Sequence, residues 1–104
     1  MHYVLLAEHT ADLCPTANAT TRKLMLDTAP KIPGMAQEAG VTIVAGPFVN
    51  REHLTVVIVE ADAAEKIDRF LVAARLPQWN SVRVLPSLSI QQAMGELEEM
   101  PALF

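Results

Sequence analysis

The chain has a single cysteine and three histidines. Cys14 and His9 fall in one stretch, EHTADLCPTAN (8–18), with Glu8, Asp12 and Pro15 crowded around them. A second histidine, His53, closes the segment NREH (50–53). Two imidazoles and one thiolate form a donor set that suits zinc, copper, nickel or iron. Three protein ligands with an open fourth position is also the pattern of catalytic zinc centres. Glu52 and Asp12 are the candidate fourth ligands or outer partners, ahead of Glu8, which points away from His9 on an extended strand.

Cys14 also supports a metal-free reading. A thiol just before a helix start, here near Asn18 or Thr20, and beside a histidine is shifted toward the thiolate. That makes Cys14 the candidate catalytic residue for sulfur transfer or redox sensing. The chain has no second cysteine to resolve a disulfide, which argues against a thioredoxin-type cycle. Each residue has an ordinary role too. A lone cysteine commonly packs as a small apolar side chain, a histidine at a strand end is commonly solvated, and His-x4-Cys is by itself a weak motif. The cluster gains weight only if the fold brings two separate segments together.

The elements that must do this can be read from the apolar periodicity. HYVLLAEH (2–9) reads as a strand and residues 10–18 as a loop. Thr21, Leu24, Thr28, Ile32, Met35 and Ala39 recur at helical spacing. Pro30 and Pro33 break that helix, and Gly40 ends it as a left-handed cap. VTIVAGPFV (41–49) is a second strand, with Gly46-Pro47 marking a bulge or an edge. HLTVVIVEA (53–61) is the third strand. Asp62 with Glu65 reads as a capping box for a helix that ends at Pro77, with Glu65 and Arg69 as an i,i+4 pair. SVRVLPSL (81–88) is the fourth strand, and Ser89 with Gln92 opens a short helix over 90–99.

The order β-α-β-β-α-β is the ferredoxin-like arrangement: α+β, with a four-stranded antiparallel sheet and a C-terminal tail (88–104) bearing the short helix. The 104 residues form a single domain, 1–104. Right-handed crossovers set the first and third strands side by side and antiparallel. The end of one, at His9, then meets the start of the other, at His53. Tyr3 shares a face with His9, and Arg83 enters the fourth strand beside the end of the first, so both are candidates for lining a cofactor or ligand site.

Two helices cover one face of such a sheet, yet the central strands are apolar on both: Leu54, Val56 and Ile58 on one face, Val57 and Val59 on the other. Leaving three or four such side chains wet forgoes roughly 1.5–3 kcal/mol each. A homodimer with sheets packed face to face is therefore expected, the tail helix reaching over the partner. The composition fits, with 51% hydrophobic residues and 19% charged. A net charge of −4 without any basic cluster argues against nucleic acid. The absence of a long apolar run or a basic apolar leader argues against membrane and export. One cysteine beside five methionines points to a reducing cytoplasm.

The pattern resembles the dimeric α+β-barrel superfamily of ferredoxin-like proteins, and within it small stand-alone proteins of unknown function that carry EHT…CP after the first strand and EH before the third. Here these are Glu8-His9-Thr10, Cys14-Pro15 and Glu52-His53. The resemblance implies the fold and the dimer. It also leaves a range of activities, including monooxygenases, haem binders, metal binders and proteins that hold a small apolar ligand between the sheets. Cys-Pro occurs where cysteine ligates haem iron, although a chain this small would need its dimer cleft for a porphyrin. The first expectation is a cytoplasmic homodimer binding a transition metal through His9, Cys14 and His53. The alternatives are Cys14 thiolate chemistry and a pocket for an apolar small molecule, lined by residues such as Tyr3, Leu5 and Val57.

Overall fold

The computed structural model describes residues 1–102; residues 103 and 104, at the end of the 88–104 tail, lie outside it. The strands are β1 (His2–Glu8), β2 (Thr42–Phe48), β3 (Leu54–Glu60) and β4 (Ser81–Ser87). The helices are α1 (Ala19–Thr28), α2 (Ile32–Ala39), α3 (Ala64–Ala73) and α4 (Ile90–Glu99). The sheet has the order β2-β3-β1-β4, and each pairing is antiparallel. This is the α+β, ferredoxin-like arrangement expected from the sequence, with β1 and β3 central.

Local chemistry explains most of the boundaries. Asn18 caps α1 by accepting the Thr21 amide at 3.0 Å. A 3₁₀ turn containing Pro30 joins α1 to α2, Pro33 sits in the first turn of α2, and Gly40 ends it at φ 77°. β2 is an edge strand with two register shifts against β3. Gly46 lies within them at φ 89°, where a Cβ would come within 2.7 Å of the Val56 carbonyl oxygen. Ser89 and Gln92 form a reciprocal capping box on α4.

The start of α3 differs from expectation. Its cap is Ala63, extended at φ −151°, and no side chain caps it. Asp62 is one residue too early for that role. Its carboxylate instead pairs with Lys66 at 2.8 Å, which holds the Asp62 carboxyl below the usual carboxylate range.

One face of the sheet forms the core. Tyr3, Leu5, Val57 and Val59 pack against Ile67, Phe70 and Leu71 of α3 and Ala36 and Ala39 of α2. Among the described residues no helix covers the opposite face. Register places Val4 beside Ile58 and Leu85, and Leu6 beside Val56 and Arg83, on that open side. Phe48 pairs with Val56 there and is 61% exposed. No residue of α4 is buried, and its Ile90, Met94 and Leu97 face solvent. The radius of gyration is 16.1 Å, against about 13 Å for a compact domain of this length. Among the described residues no helix is long and apolar enough to cross a membrane.

Candidate metal centre

The site forms where β1 ends. The antiparallel pairing of β1 with β3 puts Glu8 opposite Leu54. One residue further on, the His9 amide donates to the His53 carbonyl at 3.1 Å. His53 is not the first residue of the strand, as the sequence suggests, but the last of the turn before it. It is held left-handed at φ 59°, a conformation that histidine adopts more readily than most side chains. Asn50 imposes that turn, its Oδ1 accepting the amides of Glu52 and Leu54. The two rings meet edge to face, with centroids 5.3 Å apart.

Cys14 arrives from the loop that leaves β1. Residues Ala11–Leu13 make one 3₁₀ turn. Pro15 then disfavours a helical conformation at Cys14, which is extended at φ −61° and ψ 137°. The Cys14 carbonyl accepts the amides of Ala17 and Asn18 at 2.9 and 2.8 Å. Arg22 reaches back from α1 to the carbonyls of Pro15 and Thr16 at 2.8 and 3.0 Å. The loop is thus fixed on both sides of the thiol. The result joins the two segments: one ligand atom each from His9, Cys14 and His53 lies within 4.8 Å of the others, and all three residues are half-buried.

The tautomer of His9 follows from its neighbours. Asn80 is buried and donates its Nδ2 to the Leu76 carbonyl at 3.1 Å. That fixes the amide and turns Oδ1 toward His9 Nδ1, 3.1 Å away. Oδ1 can only accept, so Nδ1 is the donor, and in the neutral ring Nε2 is the nitrogen that bears the lone pair. Nε2 is buried, and no hydrogen-bond partner reaches it among the described residues. Leaving such an atom unpaired costs about 1–3 kcal/mol. Trp79 braces the ring from another side, with centroids 5.0 Å apart.

The Cys14 thiol is held below its ordinary value. The Thr16 hydroxyl, 3.0 Å from Sγ, is the main cause, followed by the Thr16 backbone and then His53. Asp12 is exposed, and its carboxyl is lowered chiefly by the Thr10 hydroxyl within its own turn. Glu52 and Glu8 are exposed, and none of these three acids belongs to the close cluster. Tyr3 is packed in the core and Arg83 is exposed on the open face beside Leu6, so neither is brought into the cluster.

Two contributors escape sequence reading: Asn80, which sets the His9 tautomer, and Trp79, which braces the ring. The available signal was the register of β1 with β4. Glu8 pairs with Ser81, so His9 meets the residue before it. No protein-family model matches the chain, and no curated protein matches it.

Proposed function

We propose that the protein binds a transition metal through His9 Nε2, Cys14 Sγ and His53. The observation that carries this reading is that His9, whose Nε2 is buried with no hydrogen-bond partner among the described residues, brings a ring nitrogen within 4.8 Å of a thiol and a second imidazole. A metal supplies the missing partner. The Asn80–His9 hydrogen bond is the outer-shell contact that metal-ligating histidines characteristically make. The lowered Cys14 pKa supports it as well, because thiolate is the binding form.

Two nitrogens and a sulfur around zinc lie roughly 3.5 Å from one another, given bonds of about 2.1 and 2.3 Å. The cluster therefore needs to contract by about an ångström, a distance within the reach of side-chain torsions. A soft mixed donor set favours zinc or copper, with nickel and iron as further candidates. A ligand set that needs a reduced thiol fits a cytoplasmic protein.

The test is ¹⁵N NMR of the His9 ring during zinc titration. The Nε2 resonance should move while Nδ1 stays protonated; no change at Nε2 with zinc in excess overturns the reading.

A homodimer accompanies this proposal. The open sheet face and the unburied α4 both present large apolar side chains. A second copy laid face to face, with α4 over its partner, would cover both. Light scattering at micromolar concentration should give twice the chain mass, and the mass of one chain would refute it.

The lowered pKa of Cys14 favours one second reading, nucleophilic thiolate chemistry without metal. It predicts that activity follows Cys14 and Thr16 and is indifferent to Asn80.

A further inference from the structure

A cavity of about 230 Å³ opens directly beside the cluster. His9 and Cys14 form part of its wall; Met25, Val49, Leu54 and Trp79 make up half of the rest, which also includes uncharged polar residues such as Asn50. No lysine, arginine, aspartate or glutamate is among its lining residues. Met25, Val49, Thr55 and Trp79 also wall a smaller, more enclosed space of about 50 Å³ that continues toward Leu5, Val57 and Phe70 in the core. The chamber is therefore on the helix-covered side of the sheet. It is not the cleft between two sheets of a dimer.

We infer that this chamber takes a small neutral molecule with an apolar, ring-sized body and one lone-pair donor, the donor completing the coordination of the metal proposed above. The volume sets the size. An apolar cavity of about 150 Å³ holds a benzene molecule, so this one holds a ring with a short substituent. It falls short of the roughly 300–1,000 Å³ typical of drug-sized ligands, too little for a nucleotide or a porphyrin within one chain. The walls set the charge. Beyond the metal-binding end, a charged ligand loses its hydration and finds no lysine, arginine, aspartate or glutamate to pair with. The ligating residues set the polar end, because His9 and Cys14 belong to both the cluster and the cavity wall.

The inference rests on the metal reading for its donor atom, and on the cavity alone for its apolar body. Methyl NMR at Met25, Val49 and Leu54 separates the two, with benzene, pyridine and acetate as probes on metal-free and zinc-loaded protein. Benzene should shift these methyls in both forms. Pyridine should saturate at an at least tenfold lower concentration once zinc is bound, and Cys14→Ser should abolish that gain. Met25→Phe and Val49→Phe, each checked for an unchanged melt, should weaken benzene binding severalfold and leave zinc uptake intact. Benzene without effect on these methyls overturns the chamber. Zinc uptake without any gain for pyridine overturns the donor-atom claim while metal binding stands, and acetate as effective as pyridine overturns the neutrality of the ligand. Failure of zinc uptake sinks the metal reading and the donor-atom claim together, and leaves the apolar chamber to the benzene result.

Discussion

The end of β1 and the open face of the sheet are both incomplete, in different ways. At the end of β1 the deficit is a single atom: Nε2 of His9, buried and without a hydrogen-bond partner among the described residues, on a ring that belongs to the cluster with Cys14 and His53. On the open face it is an area without direction, spread over Val4, Leu6, Val56, Ile58 and Leu85 and continued by Ile90, Met94 and Leu97 of α4. A point deficit in lone-pair geometry calls for an ion. A diffuse apolar deficit calls for another protein surface. The two regions should therefore fail independently, and substitutions in one should leave the other intact.

The largest effect is expected from removing a ligand. His53→Asn keeps a residue that tolerates the left-handed turn and deletes only the imidazole. Zinc affinity should fall by more than the roughly 10–100-fold that loss of an outer-shell partner costs. The melting temperature of the metal-free protein should barely move, and the proposed dimer should be unaffected. A large loss of stability would instead make His53 a structural turn residue.

The converse experiment places charge on the open face. Phe48→Glu with Leu85→Glu puts two carboxylates where apolar contact is proposed, forgoing roughly 1.5–3 kcal/mol for each buried side chain. Light scattering should report a monomer that still binds zinc. A monomer that has lost its metal would show that the partner completes the site.

A smaller effect sharpens the account of the site itself. Asn80→Ala removes the acceptor that fixes the His9 tautomer and should weaken zinc by about 10–100-fold. Asn80→Asp should restore or tighten binding, because a carboxylate raises the basicity of the ring. Isothermal titration on both variants checks the order.

The smallest effect concerns the thiol. Thr16→Val removes the main cause of the lowered Cys14 pKa. The midpoint of the alkylation rate against pH should move up toward the ordinary value near 9.0, slowing the reaction at neutral pH. The sign for stability follows from the same shift. Because the fold favours thiolate, Cys14 contributes stability above its unfolded pKa, and that contribution is lost as pH falls through the folded value.

Much of this was legible in the sequence, for identifiable reasons. The β-branched run of β3, the capping pair Ser89–Gln92 and the left-handed Gly40 are local signals, and each appears where its chemistry requires. The meeting of His9 with His53 was legible because it needs only element order and the handedness of crossovers. What escaped depends on register or on one-residue offsets. Asn80 reaches His9 only because β4 pairs with β1 in a particular alignment. Asp62 fails as a cap because the backbone stays extended through Ala63. His53 leaves the strand because the side chain of Asn50 holds the preceding turn. The chamber beside Cys14 is a property of packing between Met25, Val49 and Trp79, which no spacing in the sequence reports.

The most direct test of the central claim is elemental analysis of untagged protein purified without chelator, beside His9→Ala and Cys14→Ser variants prepared identically. The account predicts about one transition-metal ion per chain in the unaltered protein and none in either variant. Equal metal content in all three, or no metal in the unaltered protein even after zinc is supplied in excess, would contradict it.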